Sequence, residues 1–539
     1  MVRVFTTIAG LRCYVALKRS EPPLEDAIDQ PGLHPVGVKV GFVPTMGALH
    51  AGHLNLIERS RRENDVVIVS IFVNPLQFGP NEDFQQYPRP IEQDTQLCEQ
   101  AGVDAIFSPS PEELYGSPYP PVSDRVTQVI PPFQMMSGLC GRSRPGHFQG
   151  VATVVTKLLN IVQPDRAYFG RKDAQQLAIL RRLVADLNIP VDIVACRIVR
   201  EPNGLAMSSR NRYLTSDQYD KAAVLYRSLQ RAESIFQLGK HYREALVQAV
   251  ETELATVPDV QPEYIELVHP DTMMPLEQIE DVGLLAIAAR MGSTRLIDNM
   301  VLRNRKPIVA IDGPAGVGKT TVVRQVATEL GLLHIDTGAM YRAATWLALQ
   351  SGLAIDDEAA IAEMVSQCQI ELGSQKTEDA NSQSPQVHIN GHNVTTAIRS
   401  LDVTQQVSAI AAQPAVRKIL VKQQQAYGRG GGVAMEGRDI GTHVFPDAEL
   451  KIFLTASVQE RARRRQIDLK NQGQAEVDLG ELERLIDERD RKDSTRQVSP
   501  LQKAPDAIEI NTDRLSIAEV TATIVGLYQE RLSEVHSHR

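Results

Sequence analysis

From residue 38 to about 198, short runs rich in valine and isoleucine alternate with stretches of helical periodicity. Residues 38–43, 66–73, 103–107 and 191–198 read as strands, with helices expected over 91–101 and 174–187 between them. The run 66–73 is interrupted only by Ser70, the near-continuous apolar pattern of a strand buried on both faces of a parallel sheet. This alternation predicts βαβ units and a doubly wound α/β sheet. Residues 199–302 change character: the turn Glu201-Pro202-Asn203-Gly204 opens a smaller unit with helical patterns over 216–238 and 242–256. After the charged stretch Arg303-Asn304-Arg305-Lys306-Pro307, α/β alternation restarts at 308–311 and continues through 334–335, 433–435, 450–454 and 508–510. The polar, turn-rich tract 373–385 reads as an exposed loop within an insertion. The expected organisation is a Rossmann-like domain over 1–198, a lid-like subdomain over 199–302, a linker at 303–307 and a second α/β domain over 308–539. No internal repeat relates the halves.

Composition narrows this picture. A chain of 539 residues exceeds what one hydrophobic core organises. Its 42% apolar and 23% charged content is ordinary for a globular protein, and a formal charge of −9 argues against a protein that coats nucleic acid. The five cysteines are scattered without a CxxC pair, which predicts reduced thiols. No apolar run approaches the ~20 residues of a membrane span, and the N-terminus lacks the pattern of a signal peptide. A cytoplasmic protein without membrane or nucleic-acid partners is expected.

Two loops carry candidate chemistry. Pro44-Thr45-Met46-Gly47-Ala48-Leu49-His50-Ala51-Gly52-His53 follows the first predicted strand, and Gly313-Pro314-Ala315-Gly316-Val317-Gly318-Lys319-Thr320 follows the strand at 308–311. Each leads into a helix, the context in which a glycine-rich turn aims backbone N–H groups at phosphates. His50 and His53, three residues apart, share a helix face and can donate to phosphate oxygens as pyrophosphate departs. An isolated pair reads equally well as two histidines on a surface turn. Lys172 in Phe169-Gly170-Arg171-Lys172-Asp173, the loop Met207-Ser208-Ser209-Arg210-Asn211, and Asn74 and Gln77 beyond the strand at 66–73 favour a site. In the second loop Lys319 neutralises phosphate charge, while Thr320, beside Thr321, can reach Mg²⁺. Further on lie Asp336-Thr337-Gly338-Ala339-Met340-Tyr341-Arg342, Glu436-Gly437-Arg438-Asp439, the run Arg461-Ala462-Arg463-Arg464-Arg465, and Arg489, Lys492 and Arg496. A basic helical run is ordinarily a solvated face. Arginines recurring beside strand ends in a P-loop domain suit two adjacent polyphosphates instead.

Residues 1–302 resemble the pantothenate synthetases (pantoate–β-alanine ligases) of the HxGH nucleotidyltransferase superfamily, on PTMGALHAGH, SIFVNPLQF, YPR at Tyr87, RPGHF at Arg144, QPD at Gln163, KDAQQL, SSRN and RLIDN at Arg295. The resemblance implies condensation of pantoate with ATP to an acyl-adenylate, then attack by β-alanine to give pantothenate and AMP. It implies catalytic roles for His53, His50 and Lys172. ATP would be held by Met46, Gly47, His50, Gly52, His53, Gly170, Lys172, Asp173, Val199, Met207, Ser208, Ser209 and Arg210. Gln77, Gln176, Asn74, Tyr87 and Arg144 would hold pantoate and β-alanine. The family usually has glutamate at the position of Arg171 and an aromatic at that of Ala174. Another adenylyl- or cytidylyltransferase of the superfamily is the competing reading. The ligases are typically dimers, which implies a homodimer through this half.

Residues from about 306 to 535 resemble bacterial cytidylate kinases, on IDGPAGVGKTT, DTGAMYR, SAIAAQPAVR, EGRDIGTHVFPDA, KIFLTAS and ERDRKDSTR. The resemblance implies ATP-dependent phosphorylation of CMP and dCMP with Mg²⁺. ATP would be held by Gly313, Ala315, Gly316, Val317, Gly318, Lys319 (also catalytic), Thr320, Thr321, Arg461, Arg464 and Arg465, with Thr320 on the metal. CMP would be surrounded by Thr337, Arg342, Ser408, Arg417, Arg438, Arg489, Asp493 and Arg496. A CMP-binding insertion is expected at about 355–400 and a lid at about 456–496. A bifunctional enzyme is the favoured reading. One active enzyme with a degenerate regulatory module, or a nonenzymatic ATP sensor, would have no need of both full sets of polar site residues.

Overall fold

The computed structural model describes residues 2–21, 37–79, 82–116, 126–373, 386–471, 478–495 and 499–537. Most of the predicted loop at 373–385, and Arg496, lie outside these described residues. The chain divides into two compact units, Met1–Asn304 and Arg305–Arg539.

In the first unit β1 (Arg3–Phe5), β2 (Val40–Thr45), β3 (Val66–Ile71), β4 (Ala105–Phe107), β5 (Arg166–Gly170) and β6 (Asp192–Cys196) form one parallel sheet in the order β1-β4-β3-β2-β5-β6. Every residue of β3 is buried, Ser70 included, as its near-continuous apolar pattern predicts. One sheet face packs against the helix His147–Val162, and the other is covered by Leu56 and Ile57 of the helix Ala51–Glu63. The chain runs outward from β2 to β4, then returns to the far side of β2 as β5. That reversal opens a crevice beyond the carboxyl ends of β2 and β5, where open α/β sheets bind ligands.

The stretch 199–302 holds strands beyond the two helical patterns read in it. It contains an antiparallel sheet of β7 (Val260–Val268), β8 (Val282–Met291) and β9 (Thr294–Arg303). The helix expected over 216–238 is two helices, Ser216–Ala222 and Val224–Gln237, divided by a tight turn at Ala223 (φ −57°, ψ −18°). Both β8 and these helices bury apolar residues in a common cluster that includes Leu225, Leu229, Leu285 and Ile287.

The second unit is built on β10 (Val309–Asp312), β11 (Leu333–Asp336), a small antiparallel sheet of β12 (Ile370–Gly373), β13 (Gln386–Ile389) and β14 (His392–Asn393), then β15 (Val433–Gly437), β16 (Leu450–Thr455) and β17 (Ile508–Asn511). The main sheet is parallel, in the order β11-β15-β10-β16-β17. The central strand β10 therefore delivers the P-loop to the middle of the sheet's carboxyl edge. The small sheet and the helices Thr337–Gln350, Glu358–Gln367 and Pro414–Gly428 share a separate apolar cluster.

Close backbone approach sets one site element. A Cβ on Gly150, in the helix His147–Val162, would lie 2.3 Å from the carbonyl oxygen of Leu76 and 2.7 Å from the amide nitrogen of Gln77. Gly150→Ala therefore drives the helix off the turn Pro75–Gln77. The variant is expected to lose roughly 1–3 kcal/mol of first-unit stability, measured as a lowered denaturation midpoint. An unchanged midpoint would show that the turn yields without cost.

Candidate active sites

In the first unit a cavity of about 280 Å³ at the sheet's switch point is lined by all but one of the residues singled out in this half: Met46, His50, Gly52, His53, Asn74, Gln77, Tyr87, Arg144, Gly170, Lys172, Asp173, Gln176, Val199, Met207, Ser208, Ser209 and Arg210. Gly47 is the exception. It adopts φ 82°, shaping the turn from behind. That turn is pinned by a residue the sequence did not reveal: the buried Asp94 carboxylate accepts the amide hydrogens of Ala48 and Leu49, both at 2.8 Å. His50 caps the next helix, its Nδ1 accepting from the Gly52 amide at 3.1 Å, so its free hydrogen is on Nε2 when neutral. The His50 and His53 rings lie 4.1 Å apart between centroids.

The polar side chains around this pair have fixed partners. Asn74 donates to the Gly150 carbonyl and to Gln77 Oε1, and its Oδ1 accepts from the Tyr115 hydroxyl at 2.8 Å. It thus fixes the Gln77 amide rather than projecting a free one. The adjacent Gln175 donates to the carbonyls of Met135 and Gly138, which leaves Gln176 as the glutamine of this pair without a fixed carbonyl partner on the cavity wall. Arg144 is ion-paired with Glu82, and Arg210 with Asp83 (2.8 Å). The Tyr87 hydroxyl lies 3.3 Å from Ser209 Oγ, and Ser208 Oγ accepts from the Arg210 amide. Arg171 meets β9 through its carbonyl, and Ala174 is a partly buried apolar contact.

In the second unit the P-loop glycines Gly313, Gly316 and Gly318 take φ of 151°, 81° and 89°. Lys319 is buried, its ammonium donating to the carbonyls of Gly313 (2.6 Å) and Pro314 (2.7 Å). Burial, then the Arg438 charge, holds its pKa well below the usual lysine range. The Thr320 hydroxyl donates to Glu436 at 2.8 Å, and the other Glu436 oxygen accepts from His334 Nε2 at 2.9 Å. That histidine was legible only as part of a strand. Ala315 and Val317 turn their carbonyls to Arg461 and Arg464. Arg461 also pairs with Asp490.

Among the residues expected to surround CMP, Thr337 donates to the Glu436 carbonyl at 2.8 Å, Arg342 pairs with Asp336 at 2.7 Å, and Arg438 pairs with Asp493 at 2.9 Å. Arg417 is buried against Asp439, 5.3 Å from the Tyr341 ring centre. Burial, then the nearby Arg438 charge, lowers the Arg489 pKa from its usual value, while Asp493 opposes the shift. Ser408 is exposed on the helix Leu401–Ala412, and Thr321 is exposed on the P-loop helix. A buried Asp312 at the end of β10 accepts the amides of Ile440 (2.8 Å) and Gly441 (2.7 Å), and burial pushes its pKa up to about 6.

Two family descriptions match the chain: pantoate-beta-alanine ligase over residues 19–301 and cytidylate kinase over residues 309–530. A bifunctional pantoate ligase/cytidylate kinase of Trichormus variabilis is 64% identical, covering 99% of this chain and 100% of its own. Another of that description, from Trichodesmium erythraeum, is 54% identical over 98% of each. The chain belongs to the bifunctional pantoate ligase/cytidylate kinase family. A crystal structure of pantothenate synthetase from Thermus thermophilus is 44% identical, covering 56% of this chain and 99% of its own, with a TM-score of 0.48.

In the pantoate ligase unit, burial sets the protonation of the histidines. Desolvation, then the charge of Lys172, lowers the His50 pKa to about 4. Desolvation, with His50 and Lys172 adding to it, takes His53 to about 3. His147 falls to about 3 through burial and the neighbouring Arg144. All three are neutral near pH 7, so each imidazole carries one N–H donor and no positive charge. Between about pH 6.5 and these folded values the unfolded chain binds protons that the folded unit does not, so stability falls as pH falls through that window. Denaturation of the wild type at pH 7, 5.5 and 4.5 should show this acid loss, and His53→Asn should show a smaller one. Equal losses in both would refute the assignment.

Proposed function

We propose that the first unit joins pantoate to β-alanine through a pantoyl-adenylate and that the second transfers the γ-phosphoryl group of ATP to CMP or dCMP. The observation that carries the ligase reading is one cavity in which paired histidines, Lys172 and the 207–210 loop face Gln77 and Gln176. A pantoate carboxylate oxygen attacks the α-phosphorus of ATP and pyrophosphate leaves. The β-alanine amine then attacks the acyl carbon and AMP leaves. His53 and His50 donate N–H hydrogen bonds to phosphate oxygens that gain charge, Lys172 offsets charge at the α-phosphate, and residues 208–210 hold the departing phosphates. Gln77 orients pantoate through its Asn74-fixed amide.

In the kinase unit, phosphate oxygens replace the loop carbonyls as partners of Lys319, a cation already desolvated for that exchange. The Thr320 hydroxyl and Glu436 carboxylate supply hard oxygen donors that suit Mg²⁺ shared with a triphosphate. Bound there, the metal would neutralise phosphate charge. Arg342, Arg417, Arg438 and Arg489 converge on the acceptor side, where Thr337 and Asp493 add polar contacts. Family resemblance supports a dimer through the ligase half, testable by sedimentation, and a cytoplasmic location, testable by fractionation.

Incubation with pantoate, β-alanine and ATP should yield AMP and pyrophosphate, and formation of ADP in this assay would overturn the adenylate route. His53→Ala should lower kcat by about 10²-fold or more, the scale of removing a positioned donor. Near-wild-type turnover would show that His53 lines the cavity without a catalytic role.

Lys319→Ala should abolish CMP phosphorylation, and Arg342→Ala should mainly raise KM for CMP, by the ~1.5–3 kcal/mol of a charge-assisted hydrogen bond. Both should leave pantothenate synthesis unchanged. An acceptor screen favouring AMP over CMP and dCMP would overturn the cytidylate assignment.

A further inference from the structure

The RLIDN segment lies on β9, outside every role given above, yet two of its side chains reach both cationic arms of the ligase cavity. Asn299 is buried, and its side-chain amide donates one hydrogen to the carbonyl of Arg171 (3.0 Å) and the other to that of Lys172 (2.8 Å). Both donors of the amide are thereby satisfied on the peptide that carries Lys172. The neighbouring Asp298 is also buried and takes the Arg200 guanidinium in a two-pronged pair at 2.6 and 3.1 Å. Arg200 lies over the Tyr226 ring at 3.7 Å and donates to the Gly204 carbonyl, which closes the 201–204 turn. Across that turn Arg200 bridges to Ala206, and the Met207 amide donates to the Val199 carbonyl at 2.9 Å. The chain leaving this hairpin is the 208–210 loop, which enters the short helical turn Ser209–Tyr213. An Asp298 oxygen also accepts the Asn299 amide hydrogen at 2.8 Å, so the two side chains and their shared peptide form one unit.

We propose that Asp298 and Asn299 are positioning residues of the ligase reaction, a clamp that fixes Lys172 and the root of the 208–210 loop at one spacing. The inference rests on the ligase reading above. Residues 171–173 form a single short helical turn between β5 and the helix Ala174–Asp186. The loop's side-chain ties, such as Ser209 with the Tyr87 hydroxyl and Arg210 with Asp83, run to the 82–87 segment, and the Asp298–Asn299 unit links its root to the peptide of Lys172. Lys172 is also costly to bury. Burial lowers its pKa, while Asp173 and Asp298 oppose that shift, so Asp298 contributes to keeping the ammonium charged. Asn299 grips the carbonyl and not the side chain of residue 171, so arginine is accommodated where relatives of the resembled family carry glutamate. Displacing a charge-stabilising group by ~1 Å is enough to cost on the order of 10²-fold in rate.

The test is a double-mutant cycle on the full chain with Asn299→Ala and Lys172→Ala. Pantoate-dependent pyrophosphate release and calorimetric ATP affinity are measured, and CMP kinase activity in the same sample reports active protein concentration. If Asn299 acts through Lys172, Asn299→Ala lowers kcat by about tenfold or more, with the KM for β-alanine within about twofold. In the Lys172→Ala background the same change then costs less than about twofold in the rate of pyrophosphate release. Additive losses, or near-wild-type kcat in Asn299→Ala, overturn the proposal. If Asn299→Ala abolishes the first unit's melting transition, Asn299→Ser, a shorter donor, replaces it under the same two criteria. A wild type that makes no AMP would instead overturn the ligase reading itself, a result distinct from either outcome of the cycle.

Discussion

In both units a buried carboxylate that accepts two consecutive backbone amides holds the chemistry in place. Asp94 takes the amides of Ala48 and Leu49, and Asp312 takes those of Ile440 and Gly441. A phosphate-binding loop must leave its backbone donors pointing outward, so it has little packing of its own to fix its path. Asp94 removes that freedom from within the 44–53 loop without filling the space the phosphates need, whereas Asp312, at the end of β10 directly before the P-loop, ties that strand end to the 440–444 segment. Desolvation raises the pKa of both acids, so each carboxylate depends on these amides to stay charged. Loop geometry and carboxylate ionisation are thus mutually dependent.

The same economy of position extends outward. At the ligase crevice the amide of Asn74 is used entirely on Gly150, Gln77, Leu76 and Tyr115, so the side chain that can turn toward a ligand is the one it braces. At the kinase crevice Glu436 joins Thr320 to His334 through its two oxygens while its carbonyl holds Thr337. One residue at the end of β15 therefore touches the P-loop helix, β11 and the start of the helix Thr337–Gln350 at once.

Much of this was legible in the chain. Strands preceding both loops, the parallel sheets and the cavity-lining residues follow from apolar runs and local motifs, which are short-range information. The antiparallel sheet β7–β9 was not, because the run Leu284-Leu285-Ala286-Ile287-Ala288-Ala289 has neither a clean period of two nor of 3.6. Its strands are set by pairing with one another and by burial against the helices, neither of which has a local trace. The acids opposite the expected cations were missed for a related reason. Glu82 lies 62 residues from Arg144, and Asp83 lies 127 from Arg210. Only the fold brings them together.

Those two acids are consecutive in sequence and hold two arginines from different parts of the chain. An uncharged molecule entering the crevice can draw on neither guanidinium without stranding a carboxylate in a partly buried place. A molecule bearing its own negative charge can exchange with the acid it displaces at little electrostatic cost. Whether these two guanidiniums are available to a guest therefore depends first on the guest's own charge.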